Sequence, residues 1–487
     1  MHRARVICAA AAAVGGIVGA AALPATVAVA DPFDVAAYTI DPVGPETVTG
    51  LYNVTTAPPG VNESLQGYGL FDVLGDDSDD PVGRFSAYIS TVPYLAFRVG
   101  TADQAIVSSE TLYVSSDVPG YEDPTGIAPT EGTVIALTHS FGGFFSNLYT
   151  ADGTTVTDIL RTPFGDIDFS QLVNSLGFDA ANVPSVLPDE ITAISDPVIT
   201  GVNGLPPLTI ALQGYEAFQF GDDPDATFNA VQTTTTDGIG FHTEALLVTE
   251  ETGTADSLPV GSIYNTVDFM NLSNVYSSIP QENGFDKVTD ILIDTNTGQS
   301  LDLSLIFGWF NASAGLDDGS FLRPIELGDN VITAAPDSDF VFTGINGLPP
   351  GNVSIQGDGL FALYENGAES PTAIFGADVT TVQPMLYSFY TETLLVTDSM
   401  NSELPIGSVI DYTSYGFGFE NLYTDLPGMG ADGDNLITDI FSTPFGDMDL
   451  SFIYASLDAS AGLTPAEGLA SFADQPWLEL FETVFSL

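Results

Sequence analysis

The stretch Thr200-Gly201-Val202-Asn203-Gly204-Leu205-Pro206-Pro207 returns almost unchanged as Thr343-Gly344-Ile345-Asn346-Gly347-Leu348-Pro349-Pro350. A weaker copy, Thr49-Gly50-Leu51-Tyr52-Asn53, lies near the start of the chain. A Gln-Gly dipeptide follows each copy, and its glutamines, Gln66, Gln213 and Gln356, are 147 and 143 residues apart. Because this period matches the size of a domain and far exceeds a solenoid or propeller unit, the sequence predicts three tandem domains.

Further landmarks recur in the same order in each unit. They are a Glu in a strand-like phrase at Glu110, Glu244 and Glu392, an Asn-Leu pair at Asn147, Asn271 and Asn421, a Thr-Asp pair at Asp158, Asp290 and Asp439, and an Asp-x-Ser pattern at Asp168, Asp302 and Asp449. We place the domains at residues 31–188, 189–330 and 331–460, with a tail at 461–487. Pro-bearing stretches at 183–189 and 328–337 are the expected connections, and each domain is expected to close its own hydrophobic core.

The pattern within each unit indicates β-strands. Runs rich in Leu, Val, Ile and Thr, such as 208–212, 245–249 and 394–397, are separated by Gly, Pro, Asn and Asp. This close spacing predicts mainly antiparallel strands in a sandwich or barrel, because a parallel crossover needs a dozen or more residues. A short helix is predicted after each Asp-x-Ser pattern, as at Ser170–Leu176, and an amphipathic helix over Asp474–Leu487.

The N-terminal segment and the charge bear on location and partners. Residues 1–30 combine a short basic start, an apolar Ala/Gly-rich stretch and Ala28-Val29-Ala30, which is typical of a cleaved signal peptide. No later apolar run is long enough for a transmembrane helix. With 65 acidic and 7 basic residues, a formal net charge of −58, the chain lacks the cations of a nucleic-acid-binding protein. The only cysteine, Cys8, lies in the signal segment, which excludes disulfides and cysteine-based chemistry in the mature protein.

The recurring acidic residues are the candidate sites. Alternate residues of a strand share a face, so Glu110, Glu244 and Glu392 lie among apolar neighbours. A carboxylate in that position requires backbone donors, a proton, a metal ion or solvent. One hypothesis is a Ca²⁺ site that these glutamates form with the recurring aspartates, Asp158, Asp168, Asp290, Asp302, Asp439 and Asp449. The alternative is that the aspartates cap turns and the short helix while the glutamates lie at the sheet edge.

Motifs for catalysis do not emerge from the sequence. It contains no Gly-x-Ser-x-Gly elbow and no His-Glu-x-x-His, so we name no catalytic residue, and the candidate Ca²⁺ is the single cofactor hypothesis. The leading hypothesis is a secreted, non-enzymatic structural or binding module, released or retained at the cell envelope, whose partner is an envelope component or a protein. Two alternatives stay open, a glycan or ester hydrolase with one active and two degenerate domains, and a Ca²⁺-stabilised adhesin. A deep polar cleft holding paired carboxylates in a single domain would favour the hydrolase, whereas similar surfaces on all three domains would favour binding.

Overall fold

The computed structural model contains three antiparallel β-sheets, one for each repeat, with ten, nine and ten strands. The predicted all-β antiparallel class is therefore confirmed. The structure describes residues 33–35, 38–43, 47–53, 63–75, 81–99, 102–115, 129–140, 145–152, 155–175, 185–188, 190–205, 209–237, 241–253, 257–281, 286–308, 312–313, 315–316, 321–336, 338, 340–348, 352–365, 367–368, 370–384, 390–399, 404–430 and 436–451. The predicted signal peptide and the predicted helix at Asp474–Leu487 lie outside these residues.

Each sheet is a meander whose strands follow chain order, apart from one extra strand. Sheet 1 consists of β1 (Phe33–Val35), β2 (Tyr38–Pro42), β3 (Thr47–Asn53), β4 (Glu63–Gly75), β5 (Pro81–Val99), β6 (Ala102–Val114), β7 (Val134–Ser140), β8 (Phe145–Asp152), β9 (Thr155–Arg161) and β10 (Ile167–Asp168). Sheet 2 consists of β11 (Ile191–Ala193), β12 (Val198–Leu205), β13 (Thr209–Phe220), β14 (Thr227–Asp237), β15 (Phe241–Glu251), β16 (Ile263–Phe269), β17 (Leu272–Ile279), β18 (Lys287–Asp294) and β19 (Gln299–Asp302). Sheet 3 consists of β20 (Ile325–Leu327), β21 (Asn330–Ala334), β22 (Val341–Leu348), β23 (Asn352–Glu365), β24 (Ala373–Pro384), β25 (Tyr390–Ser399), β26 (Val409–Gly416), β27 (Phe419–Leu426), β28 (Leu436–Thr443) and β29 (Gly446–Asp449).

Two short helices follow the Asp-x-Ser patterns of the first two repeats, as predicted. They are α1 (Ser170–Ser175) and α2 (Ser304–Phe307). Among the described residues, neither helix has the length and apolar character needed to cross a bilayer.

The extra strand of each sheet carries the recurring Thr-Gly-x-Asn-Gly phrase. In sheet 1, β3 pairs with the first half of β4, along the same edge where β2 pairs with its second half. The strands β12 and β22 occupy the same place beside β13 and β23. We call these three the phrase strands. Each phrase strand is hydrogen-bonded to one strand of its own sheet, and its faces pack against another repeat.

The phrase strands connect the three sheets in a cycle. β12 packs across β4, β5 and β6 of sheet 1, and β22 packs across β13, β14 and β15 of sheet 2. β3 packs across β23, β24 and β25 of sheet 3, which closes the cycle. We call the contact of β12 with sheet 1 joint 1–2, that of β22 with sheet 2 joint 2–3, and that of β3 with sheet 3 joint 3–1. Because every sheet receives one phrase strand and gives one, the repeats have pseudo-threefold cyclic order.

The two faces of each sheet build different cores. One face forms an apolar cluster within its own repeat, around Phe71 and Phe85 in sheet 1, Phe218 and Phe228 in sheet 2, and Phe361 and Phe375 in sheet 3. In sheets 1 and 2, the opposite face is covered by residues of the next repeat. Val202 and Ile210 of sheet 2 complete a cluster of sheet 1, while Ile345, Val353 and Ile355 of sheet 3 complete one of sheet 2. The expectation that each repeat closes its whole core alone is therefore wrong for these two joints.

Candidate functional site

Three buried glutamines, one from each repeat, meet where the sheets come together. Nε2 of Gln66 donates a hydrogen bond to Oε1 of Gln213 at 2.7 Å, and Nε2 of Gln213 donates one to Oε1 of Gln356 at 2.7 Å. Nε2 of Gln356 lies 3.5 Å from Oε1 of Gln66 and completes the ring. We call these residues the glutamine triad. Since each member satisfies its neighbour's amide, the triad fixes all three repeats relative to one another.

The glycines of the recurring phrase make room for the triad. Gly50, Gly201 and Gly344 each pair with the triad glutamine of the same sheet, directly after a register shift in the phrase strand. A Cβ atom at Gly201 would lie 3.0 Å from Oε1 of Gln213, and one at Gly344 would lie 2.4 Å from Oε1 of Gln356. The most strongly repeated part of the sequence is thus the part that lets the glutamines approach.

A cavity of about 1250 Å³ opens beside the triad and extends between sheets 2 and 3. All three triad glutamines line it, and the buried side chains of Val231 and Leu316 form part of its apolar wall. Phe340 and Phe342, whose ring centroids are 5.1 Å apart and edge-on, form another part. The cavity is also lined by three tyrosines and four acidic residues, Tyr68, Tyr88, Tyr215, Asp196, Glu216, Glu250 and Asp358. Mixed apolar and polar walls of this kind are typical of small-molecule sites.

The recurring glutamates bind the chain segments that lead into their sheets. Oε2 of Glu244 accepts hydrogen bonds from Oγ of Ser185 at 2.8 Å and from the backbone N of Val186 at 2.9 Å. Oε2 of Glu392 accepts one from the backbone N of Arg323 at 3.0 Å and one from the Tyr390 hydroxyl. The segments around Ser185 and Arg323 precede sheets 2 and 3, so these glutamates attach each sheet to its entering chain.

Burial changes the protonation of these glutamates. It raises the pKa of Glu244, and it raises the pKa of Glu392 to about 7 although Tyr390 and the Arg323 backbone donate to the carboxylate. The Arg323 guanidinium lies 4.1 Å from the centroid of the Tyr390 ring. Glu110 occupies the equivalent strand position in sheet 1, opposite Leu137, and is half-buried. Backbone donors and partial protonation thus account for two of the three carboxyls without a metal ion.

The two sets of recurring aspartates have different environments. Asp158, Asp290 and Asp439 are buried, and each accepts a side-chain hydrogen bond from an asparagine, Asn147, Asn274 and Asn421 respectively. Burial raises the pKa of all three, that of Asp439 to about 6.

Asp168, Asp302 and Asp449 are exposed, and Oδ1 of each accepts a bond from the N–H of the serine two residues later. Hydrogen bonds from these serines lower the pKa of the three carboxyls. The second set therefore has the turn-capping geometry weighed as the alternative to Ca²⁺ binding.

One landmark of the sequence comparison was matched incorrectly. Asn271 precedes β17, whereas Asn274 occupies the position equivalent to Asn147 and Asn421, opposite Val267 as they are opposite Thr138 and Thr413. The dipeptide Asn271-Leu272 resembles Asn147-Leu148 by chance. The better signal is Asn-x-Tyr, which occurs at 147–149, 274–276 and 421–423.

The predicted Ca²⁺ ligands are spread along the sheets. In sheet 1 the successive cross-strand partners are Glu110, Leu137, Leu148, Ile159 and Asp168. Four strand spacings of about 4.8 Å therefore separate Glu110 from Asp168 along the sheet. Glu244 and Asp302 have the same separation, as do Glu392 and Asp449.

Asp158 and Asp168 do approach each other, since the charge of Asp168 contributes to the raised pKa of Asp158. Within the described ranges, no three His, Cys, Asp or Glu side chains are grouped closely enough to hold a metal ion. The Ca²⁺ site stays a prediction. It is tested by thermal melting with millimolar CaCl₂, where an unchanged melting temperature counts against it.

Sheet 3 differs from the other sheets on the face that carries its triad glutamine, which we call the glutamine face. Across this face the successive partners of Gln356 are Thr380, Thr393, Asp411, Tyr423 and Asp439. The equivalent partners of Gln213 in sheet 2 are Thr233, Ala245, Asn265, Tyr276 and Asp290. In the neighbouring row, Asp378 and Asp425 replace Val231 and Ser278. In the same row Asp358 replaces Tyr215, so four further carboxyls lie on the glutamine face of sheet 3.

Three of these carboxyls, Asp378, Asp411 and Asp425, are buried, and Asp358 is half-buried. Asp411 accepts hydrogen bonds from Oγ1 of Thr393 at 2.9 Å and Oγ1 of Thr413 at 3.1 Å, and burial raises its pKa to about 6. Burial also raises the pKa of Asp378 far above its usual range, helped by the carboxyl of Asp358 directly across the strand pair. Asp411 and Asp378 therefore keep a proton to higher pH than an exposed aspartate does, because burial disfavours the charged form.

No protein-family model, curated protein or solved structure matches the chain.

Proposed function

We propose that the protein is an extracellular, non-enzymatic binding module that holds a ligand in the cavity beside the glutamine triad. The observation that carries this proposal is the position of the cavity, which is lined by residues of all three repeats, including Tyr68, Tyr215 and Phe342. A site shared in this way needs the complete ring, which gives a reason for keeping three repeats in one chain. The signal-peptide pattern of residues 1–30 supports action outside the cytoplasm, released or bound to the envelope.

The wall of the cavity suits binding better than it suits reaction chemistry. Aromatic and aliphatic side chains supply contact area, and the triad amides supply orienting hydrogen bonds. Among the described lining residues there is no His, Lys, Cys or Arg, so a Ser–His, Ser–Lys or Cys–His pair cannot form there. The ligand is an envelope component or another molecule of the extracellular medium.

A filled-cavity variant tests the proposal. Ala217 lines the cavity, so Ala217→Trp should block it, while Ala193→Trp places the same ring on an exposed strand outside it. The purified mature proteins are incubated with medium and envelope extracts of the native host, reisolated and analysed by native mass spectrometry. We expect the wild type and Ala193→Trp to retain the same molecule, chemically unchanged, and Ala217→Trp to lose it. Equal retention by both variants, or none by the wild type, contradicts the proposal.

Hydrolysis in repeat 3 is the second candidate function. It is favoured by the carboxyls Asp411 and Asp439, which interact through their charges and both have a pKa raised to about 6 by burial, as a general acid requires. Sheet 2 has Asn265 in place of Asp411, so the arrangement occurs once among the three described sheets. Both carboxyls are buried, which leaves them no open path to a substrate in this conformation.

The two functions are separated by the fate of the molecule. For a hydrolase, the extract experiment yields cleavage products, and Asp411→Asn and Asp439→Asn abolish their formation while the protein remains folded. For a binding module, the retained molecule has the same mass before and after incubation, and Asp411→Asn does not change its retention.

A further inference from the structure

The side chains next to the glutamine triad form a second layer, to which each repeat contributes one residue. Tyr68, Tyr215 and Asp358 each follow their triad glutamine by two residues on the same strand. Because residues two apart on a strand share a face, these side chains lie on the same side as the glutamines. All three line the cavity. Two phenol rings and one carboxylate thus face a common space below the triad.

In sheets 1 and 3, the neighbouring strand adds a residue to this layer. Tyr88 lies directly across from Tyr68 and also lines the cavity. Asp378 lies directly across from Asp358, and its Oδ2 atom has no hydrogen-bond partner among the described residues although only 8 % of the residue is exposed. The layer therefore offers three aromatic rings and one carboxyl pair with unused acceptor capacity.

Positive charge is missing from this part of the molecule. None of the described residues that line the cavity is Lys, Arg or His, while Asp196, Glu216, Glu250 and Asp358 are acidic. Of the cations elsewhere, Arg84 is paired with Asp72, with Nε 2.5 Å from Oδ1, and Arg323 lies over the Tyr390 ring. A formal net charge of −58 also attracts cations and repels anions at long range.

We propose that the layer formed by Tyr68, Tyr88, Tyr215 and Asp358 binds an organic ammonium group, quaternary or protonated, on a ligand whose apolar part lies along Val231 and Leu316. Aromatic faces attract such a cation through their quadrupole, and a carboxylate beside them supplies the counter-charge. An inorganic cation fits less well, because phenol rings replace the oxygen ligands that Ca²⁺ or Mg²⁺ requires. This inference specifies the ligand class for the proposed function and depends on it.

The test compares choline with 3,3-dimethylbutan-1-ol, its uncharged carbon isostere, by isothermal titration calorimetry on the full mature chain. We expect choline to bind about tenfold or more tightly than the isostere, because only the charge differs. Tyr215→Leu and Asp358→Asn should each weaken choline binding by about tenfold, with unchanged melting temperatures. Tyr364→Leu, on the same strand as Asp358 but outside the cavity, is the matched control and should bind choline like the wild type.

Equal affinity for choline and its isostere overturns the cation assignment and leaves the cavity as a general binding site. Choline binding that survives both Tyr215→Leu and Asp358→Asn also overturns it, because the cation then binds elsewhere. The absence of choline binding overturns it as well, whereas the proposed function is then decided by the extract experiment with Ala217→Trp, which does not depend on ligand charge.

Discussion

The glutamine faces of sheets 2 and 3 are equivalent in the two repeats, but they carry different side chains, apolar or amide in sheet 2 and carboxyl in sheet 3. In sheet 2, Val231 packs with Ile345 and Ile355 of sheet 3 in one apolar cluster, and Asn265 lies on the same glutamine face. In sheet 3 the equivalents of these two residues are Asp378 and Asp411, and the phrase strand β3 of sheet 1 packs across this sheet.

The difference follows the connectivity of the chain. Joints 1–2 and 2–3 connect consecutive repeats and are sealed by shared apolar clusters. Joint 3–1 brings together repeats from opposite ends of the chain, and the contact between Gln356 and Gln66 in it is 3.5 Å, against 2.7 Å for the other two contacts of the triad. Buried carboxyls are costly when ionised. We therefore expect the pH dependence of stability to be largest on the glutamine face of sheet 3, the sheet across which β3 packs.

The largest expected effect is at the apolar joint. Ile345 is fully buried between sheets 2 and 3, so Ile345→Ala should lower the free energy of unfolding by about 3–4 kcal/mol through lost burial and the cavity that remains. Urea denaturation followed by circular dichroism measures it. Val341→Ala, on the same strand but more than half exposed, is the control and should cost about 0.5 kcal/mol or less. Equal costs would show that joint 2–3 is not a packed core.

The second expected effect is a pH-dependent change in stability caused by Asp411 on the glutamine face of sheet 3. The folded-state pKa of Asp411 is about 6, above its usual value of 3.8, so the folded state binds the extra proton. The stabilisation that this proton gives the folded state is fully present below about pH 4 and is lost as the pH rises through 6. Asp411→Asn, which copies Asn265 of sheet 2, should therefore stabilise the protein by about 2–3 kcal/mol more at pH 8 than at pH 4.

Urea midpoints of wild type and variant at both pH values check this prediction. Asp222→Asn is the matched control, because it makes the same substitution in an exposed turn. A variant whose relative stability is the same at pH 4 and pH 8 would contradict an energetic difference between the two joints.

The triad itself should contribute less than either core. Gln213 donates to Gln356 and accepts from Gln66, so Gln213→Ala leaves two buried amide groups without their partner, at a cost of about 2 kcal/mol. Gln219→Ala removes a glutamine from the same strand whose side chain bonds near the surface to the backbone O of Gly221, and should cost much less. Chemical denaturation compares the two, and a Gln219→Ala cost as large as that of Gln213→Ala would argue against the triad.

The smallest effect tests the equivalence of positions on which the whole comparison depends. Asn274→Ala removes the donor 2.5 Å from Oδ1 of the buried Asp290 and should cost about 1 kcal/mol. Asn271→Ala, which the sequence comparison alone would select, changes an exposed turn residue and should have no measurable effect on the urea midpoint. The reverse order of the two costs would support the original matching.

The strand composition was enough to predict the fold class, because closely spaced β-rich runs leave no room for crossover helices. The recurring glutamates were singled out because a carboxylate among apolar strand neighbours requires an explanation, and the structure gives hydrogen-bond partners to two of them. The bonds that satisfy Glu244 and Glu392 come from segments outside their own sheets, at Val186 and Arg323. A single strand pattern contains no information about such distant donors.

The arrangement of the repeats could not be read from the sequence for a related reason. Gln66, Gln213 and Gln356 were visible as landmarks, but their mutual contacts span 143 to 290 residues and exist only once three sheets are placed in a ring. Similarly, Val202 and Ile345 have the alternation of ordinary core residues, and nothing local shows that the core they enter belongs to the preceding repeat.

Ring closure is the central claim, and cross-linking between Gln66 and Gln356 tests it most directly. Because Cys8 is the only cysteine, a chain without residues 1–30 that carries Gln66→Cys and Gln356→Cys has a single thiol pair. Both positions are buried but line the cavity, and we expect a short bifunctional thiol reagent to reach them from it. Peptide mass mapping should find an intramolecular cross-link between residues 66 and 356. It should find none in a Gln66→Cys, Phe445→Cys chain, where the second thiol lies on an exposed hairpin turn. A folded protein in which the 66–356 pair reacts only with separate reagent molecules would mean that the three repeats form an open string, and it would contradict the account.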